Sequence, residues 1–428
     1  MSVLRFFAVV LIFLAASGAW ALLAGTTWVR TEAQDSRLSQ EMASLWGPER
    51  LIQPAPYWSP TAVGKRTEAG STAPAASKIT ADFKHANRYK GLLWYSTFEV
   101  AFAAEYTFDA VAEGQEDKGF FLFRLPEDIT SHDGLKVTVD GKEVALPPDQ
   151  KAKGALSVEL SRQAERVVSV SFATYGQDQW LYAPVGAATR TSGEGNAKGL
   201  AELTNFSLTV TTDFRDIDYP SGSRSPTQPA APTDGGMKAG WQSACLVTNQ
   251  MMGLEMPRRQ NAGDITTRMA FFAPVSLFFF FTVLFTVTVL KKLPLHPMHY
   301  LFISAGFFAF HILMAYLADL LDNIHLAFWL CAATSVFLVV TYMRLVAGAK
   351  FAIAYAGLAQ MVYLVGFSYA FFWKGRTGLT VTIGAIVTLF VLMQATGKVD
   401  WFTLLKKPPA APPPPPPDQP ALTPTPRP

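Results

Sequence analysis

Between Phe271 and Thr396 the chain holds five long apolar runs with almost no room between them, and this stretch decides what the rest can be. Residues 271–290 carry no charge and have the length that crosses a hydrocarbon core of roughly 30 Å at about 1.5 Å per residue. Lys291 and Lys292 end that run, and apolar runs follow at 299–320, 326–343, 351–373 and 377–396. Segments of this kind must be helical, because a lone strand in lipid leaves its backbone N–H and C=O groups unpaired at several kcal/mol each. A further apolar run, 6–24, follows Arg5. Ala19, Trp20 and Ala21 resemble a small-x-small cleavage site, but the run is longer than the usual hydrophobic region of a signal peptide, which favours an uncleaved signal anchor. The expected fold is therefore α+β, with six transmembrane helices and one extramembrane insertion.

Sidedness follows from Lys and Arg in the short loops. An inside amino terminus keeps Arg5, Lys291, Lys292, Arg344, Lys350, Lys398, Lys406 and Lys407 in the cytoplasm and exports only Lys374 and Arg376. The expected division is an anchor at 1–25, an exported β-rich domain at 26–268, a five-helix membrane domain at 269–397 and a cytoplasmic tail at 398–428. Both termini are then cytoplasmic. Pro408, Pro409 and Pro412 to Pro417 exclude helix and ladder, so the tail is expected to be extended or disordered.

Within the insertion, 31–44 reads as a short polar helix that leaves the membrane and stops at Gly47-Pro48. Residues 59–78, rich in Ser, Thr, Ala, Pro and Gly, read as a loop. Strands are expected at 92–108, 119–125, 156–160, 167–172, 180–183, 206–212 and 241–252. The clearest local signal is two alternating apolar runs, 135–139 and 142–146, meeting across Asp140-Gly141, a pair that tolerates the positive φ of a type I′ turn. Many short strands without a helical period argue a mainly antiparallel β domain of sandwich type. Cys245 and Cys331 lie in different parts of this layout, so a disulfide between them is not expected.

Half of the residues are hydrophobic, 16% are charged and the net charge is +3, too small to point to nucleic acid. No phosphate-binding glycine loop, HExxH, GxSxG or CxxC occurs, so no catalytic residue, cofactor or metal is assigned. Asp213, Asp216 and Asp218 offer oxygens, but Arg215 opposes a cation, and a solvated strand end is the simpler reading. His85 and His132 read as surface residues. Polar groups inside a membrane are functional candidates by default. Those available are His311, Asp319, Gln360 and Gln394. His311 and Asp319 are eight positions apart, roughly 12 Å along a helix, so they cannot bond directly. Helix packing is the more economical role for such side chains, at about 0.6 kcal/mol each. A small-solute or ion transporter built from the helix block is the alternative.

The anchor followed by Arg30 and Leu45-Trp46-Gly47, the β-rich insertion, and above all Leu295-His296-Pro297-Met298-His299-Tyr300-Leu301 leading into helices that close at Val399-Asp400-Trp401, resemble the inner membrane protein CreD family. The resemblance implies a bacterial inner-membrane location, a role in envelope integrity or stress tolerance, and no established enzyme activity. Expected partners are the lipid bilayer and other envelope proteins or envelope material.

Overall fold

The structure is a computed structural model in which residues 3–61, 71–91, 93–112, 116–184, 200–291, 293, 295–321, 323–373 and 375–397 are described. Lys292, Lys374 and the tail from Lys398 onward, with Val399, Asp400 and Trp401, lie outside them. The chain divides into two compact units, one of Met1–Trp28 with Ile265–Pro428 and one of Val29–Asp264.

Helix α1 runs without interruption over Val3–Trp46. The sequence reading of an anchor followed by a separate short helix is corrected here. Residues 28–46 contain no Gly or Pro, and good helix formers such as Glu32, Ala33, Gln34, Arg37 and Glu41 carry the helix on. Its 44 residues make a rod of roughly 66 Å, about twice a hydrocarbon core. Gly47, at φ 91°, ends it where the sequence places the break.

Fourteen strands are described in the β unit: β1 Arg50–Pro54, β2 Tyr57–Ser59, β3 Ala76–Lys90, β4 Leu93–Phe108, β5 Lys118–Arg124, β6 His132–Val139, β7 Lys142–Glu143, β8 Ala155–Ser161, β9 Arg166–Gln177, β10 Gln179–Ala183, β11 Ala201–Thr212, β12 Gln228–Pro232, β13 Met237–Thr248 and β14 Met252–Glu255. A short helix, α2, spans Pro148–Lys153. Eight strands form the large sheet in the order β12-β13-β11-β3-β4-β9-β6-β7, and two three-stranded sheets are β1-β10-β14 and β2-β5-β8. Only β1 with β10 and β11 with β3 run parallel among the described pairs, so the unit is mainly antiparallel.

The core lies between the large sheet and the two small ones. Phe98, Val100, Phe102, Ala104, Tyr106 and Phe108 alternate inward along β4. Phe102 packs its ring 6.3 Å from Phe123 of β5, while Phe83 of β3 meets Trp180 of β10 at 5.4 Å and Tyr182 of β10 meets Phe206 of β11 at 5.8 Å. Ala101, Ala103 and Glu105, on the opposite face of β4, are exposed. One face covered and one wet is the alternation an antiparallel sheet permits.

The Asp140-Gly141 hairpin joins β6 to β7 with both residues at positive φ, 49° and 76°. Asp140 also accepts from the Val167 N–H at 3.0 Å and pairs with Arg166 at 2.6 Å; these contacts hold its carboxyl below the usual carboxylate range. Two strand readings needed correction. The long strand β3 begins at Ala76, inside the expected loop, and continues over residues assigned to no strand, while β2 takes the start of that loop. Its polar residues Lys78, Asp82 and Lys84 face solvent between buried Ile79, Ala81 and Phe83, so the apolar signal is halved. The expected strand 241–252 is two, β13 and β14, and they join different sheets.

Helix α3 (Ala262–Leu290), α4 (Pro297–Leu320), α5 (Ile324–Ala347), α6 (Ala349–Phe372) and α7 (Thr377–Thr396) are, with α1, the six helices long and apolar enough to cross a membrane among the described residues. In their most apolar windows half of the residues of α4 and α6 are buried, against 6% in α1 and α7, so α3 to α6 form the centre of the helix unit. Cys245 is exposed and Cys331 buried, and neither forms a disulfide.

Candidate functional site

Helix α6 is where the polar groups of the helix unit converge. Two stretches of it, Ala352–Gly357 and Met361–Gly366, are wound as π-helix, with the α-helical turn Leu358–Gln360 between them. Such overwide turns displace the regular i→i−4 bonds and occur often at functional positions. Gln360, fully buried, donates through Nε2 to Ser335 Oγ of α5 at 2.9 Å, and Ser335 donates to the Gly306 carbonyl of α4 at 2.6 Å. From α3, Ser276 donates to the Tyr363 carbonyl, which lies within the second π stretch. The Tyr363 hydroxyl in turn shares a hydrogen bond of 2.9 Å with Thr388 of α7. One residue pair, Gln360 and Tyr363, thus links α6 to α5, α3 and α7.

His311 is buried on α4. Its Nδ1 bonds the Phe307 carbonyl at 3.1 Å, the carbonyl one turn back, and the imidazole edge meets the Trp20 ring of α1 at 5.6 Å and Phe310 at 4.9 Å. A ring nitrogen facing a carbonyl carries the proton, which leaves Nε2 as an acceptor. Among the described residues Nε2 has no hydrogen-bond partner, nor has the buried Trp20 Nε1, nor Gln360 Oε1. Asp319 is half-buried near the end of α4, and Gln394 is exposed on α7. The four sequence candidates therefore do not form one constellation.

The residues that carry the family resemblance have defined work. His296 caps α4 by accepting from the Met298 N–H at 3.3 Å, Pro297 occupies the first helical position, and His299 shares a 2.7 Å hydrogen bond with Tyr342 of α5. Ser276, Ser335 and Trp20 were not singled out from the sequence. A single Ser inside an apolar run gives little signal, and Trp20 was read within a possible cleavage site.

In the β unit, Asp213 does lie beside a histidine, but it accepts from the His85 backbone N–H at 3.0 and 3.1 Å. Because β11 pairs β3 in parallel up to Thr212 and Phe83, this carboxylate continues the ladder past its end. The His85 ring instead bonds Ser96 Oγ at 3.0 Å and is half-buried, which corrects its reading as a surface residue. Asp216 is exposed, and Asp218 accepts from the Tyr219 N–H at 2.8 Å. Among the described residues no three His, Cys, Asp or Glu come together to hold a metal ion. A pocket of about 700 Å³ lies between β8 and the segment 144–153, with Phe120, Val144, Leu146 and Val158 beside Asp149 and Glu159. None of the sequence candidates lines it.

Residues 232–402 match the family model described as inner membrane protein CreD, a segment that holds β13, β14 and all of α3 to α7. No curated protein matches the chain. Among solved structures, a protein of Legionella pneumophila subsp. pneumophila str. Philadelphia 1, named provisionally for nutrient binding, aligns at 10% identity with a TM-score of 0.26, over 51% of this chain and 74% of that chain. A likeness that low carries no argument.

Proposed function

Starting from a membrane block, with the strands leading into it, that matches the family model of inner membrane protein CreD, we propose that the chain is a member of that family and supports the bacterial envelope by contact, without turnover. Its β unit faces the periplasm and meets other envelope proteins or envelope material, while the helices fix it in the inner membrane with both termini in the cytoplasm. The orientation is supported by the eight-to-two split of Lys and Arg in the short loops.

The observation that carries the reading is how the intramembrane polar groups are used. Gln360, Ser335, Ser276, Tyr363 and Thr388 bond one another or a helix carbonyl across helix boundaries, which is the pattern of helices locked together. Transport needs polar groups that face a common path, whereas His311 and Asp319 lie more than two turns apart on α4, Gln360 bonds Ser335 and Gln394 is exposed on α7.

Photo-crosslinking in intact cells from the exposed face of β4, at Ala101 and Ala103, tests the contact reading. The expected result is a small reproducible set of envelope components, together with altered sensitivity to envelope stress when the gene is deleted. Proteoliposomes that accumulate a proton or solute gradient through the purified protein would replace this reading with transport. A phosphatase reporter active when fused after Asp400 would overturn the orientation.

A further inference from the structure

Strand β8 is the outer strand of the small sheet β2-β5-β8, and its open side forms one wall of the pocket of about 700 Å³. Two bonds fix which of its backbone groups point there. The Leu125 N–H donates to the Gly154 carbonyl at 2.8 Å and the Arg162 N–H to the Asp117 carbonyl at 2.7 Å, and both pairs continue the register of β5 on β8. Bonded and non-bonded pairs alternate along an antiparallel ladder, so Leu156, Val158 and Leu160 turn their N–H and C=O groups toward β5. Ala155, Ser157, Glu159 and Ser161 turn theirs away from it.

Side chains stand in for a neighbouring strand at both ends of this edge. Gln150 of α2 accepts from the Ser157 N–H through Oε1 at 2.9 Å, and Arg166 donates through Nε to the Ser161 carbonyl at 3.2 Å. Between them, among the described residues, no hydrogen bond from outside the sheet reaches the Ser157 carbonyl or the N–H and C=O of Glu159. Sheet edges are ordinarily blunted, because a row of unpaired N–H and C=O groups is a template for another strand. Here the blunting leaves out the middle of the edge, and the gap opens on the pocket. Glu159 lies opposite Phe120 across the ladder, so both side chains stand on the face that lines the pocket, with Val144 and Leu146 on the far wall. Asp149 adds a second carboxylate, against Lys153, and neither carboxylate forms an ion pair among the described residues.

We propose that the β8 edge takes an extended segment of another envelope protein as a fourth strand, with a Lys or Arg of that segment laid across the pocket. The proposal rests on the contact reading above and gives one contact its form. The Ser157 C=O and the Glu159 N–H and C=O bond the added backbone, which supplies affinity without regard to sequence. Selectivity comes from the side chain that enters the pocket. The aliphatic stem of a Lys or Arg covers Phe120, Val144 and Leu146 while its charged head meets Glu159 and Asp149. An acidic side chain at the same place is rejected by those two carboxylates.

The probe is a phage-displayed library of random nonapeptides, selected against the full-length protein in lipid nanodiscs. Enriched sequences are expected to share a Lys or Arg between β-branched or aromatic residues. Glu159→Pro deletes the outward N–H and spares the bonds to β5, a place where a sheet edge tolerates proline, and should weaken the selected peptides roughly tenfold or more. Glu159→Lys keeps the backbone and should weaken them roughly two- to fivefold, and more at low salt. Gln150→Ala frees the Ser157 N–H and should tighten them roughly two- to tenfold. Failure to enrich any such sequence, or peptides that bind Glu159→Pro as tightly as the wild type, overturns the proposal. If Glu159→Pro does not accumulate, peptides indifferent to both Glu159→Lys and Gln150→Ala overturn it as well. A wild-type dimer in detergent that Glu159→Lys dissolves would give the edge to a second copy of the chain and overturn the proposed partner. Crosslinks from Ala101 and Ala103 that persist in cells while no peptide is selected would strike this edge alone and leave the contact reading standing.

Discussion

The β unit and the helix unit satisfy their polar groups by opposite means. In the β unit, bonds join residues far apart in sequence: Gln177 donates to the Gly47 carbonyl at 2.7 Å, Trp58 to that of Leu160 at 3.0 Å and Trp241 to that of Arg224 at 2.7 Å. In the helix unit most hydroxyls turn back on their own helix, as Thr282 does on Phe278, Thr334 on Leu330 and Thr382 on Gly378. Among the described residues, side-chain bonds between helices of the block include three on α6 and two between α4 and α5. Water explains the difference. A domain in water must exclude it from a closed core and then pair every polar group trapped there, whereas helices in lipid arrive with their backbones already satisfied and need only packing and a few ties.

The largest effect should come from the β core. Phe102, 2% exposed, touches the rings of Phe123, Phe172 and Trp180. Phe102→Ala is expected to cost the β unit about 4 kcal/mol, through lost transfer energy plus the cavity. Thermal unfolding of the full-length protein, followed by proteolysis of the β unit, reads this. A loss under about 1 kcal/mol would mean that the core is far more plastic than its packing indicates.

A smaller loss belongs to the hairpin. A Cβ at Gly141 meets nothing within 4 Å, so any cost of substitution is backbone strain at φ 76°. Gly141→Val should destabilise by around 1 kcal/mol or more, and Gly141→Asn by less, because Asn tolerates the left-handed region. Equal melting temperatures for the two variants would show that the turn relaxes to another form.

Smaller again is the tie within the membrane. Gln360→Ala removes the donor to Ser335 and leaves Ser335 bonded to Gly306, so the expected loss is about 0.6 kcal/mol and at most roughly 2. Unfolding of the helix unit in mixed micelles should register it while the β unit stays unchanged. A loss well above that range would give α6 a larger role than a tie between helices.

The contrast between the units also explains what could be read without coordinates. Six apolar helices and the Asp140-Gly141 turn were legible because each is a local pattern: hydropathy over about 20 residues in one case, two turn residues between alternating runs in the other. The strand β3 was not legible, since Lys78, Asp82 and Lys84 dilute an alternation that only burial of Ile79, Ala81 and Phe83 reveals. Nor was the order of the large sheet, where β3 lies between β4 and β11, strands far apart in the chain. Candidate site residues divided in the same way. Gln360 stands out as a polar group in an apolar run, but its partner Ser335 and the Gly306 carbonyl beyond it are ordinary in sequence.

The smallest expected effect concerns His311, and it bears most directly on the choice between contact and transport. Its neighbours include the aromatic rings of Trp20 and Phe310 and its own helix carbonyl, and Asp319 lies more than two turns along α4. With its proton on Nδ1, this side chain could serve a proton path only if a second group delivered a proton to Nε2, and among the described residues that nitrogen has no hydrogen-bond partner. Replacing it with Ala removes packing against Trp20 but breaks no relay. His311→Ala, and separately the combined Ala replacement of Asp213, Asp216 and Asp218, are therefore expected to complement a deletion strain under envelope stress, provided that the proteins accumulate to normal abundance. Loss of complementation by His311→Ala at normal abundance would mean that a single imidazole in the apolar interior is required for activity, and the helix unit would then have to be regarded as a conduit and not an anchor.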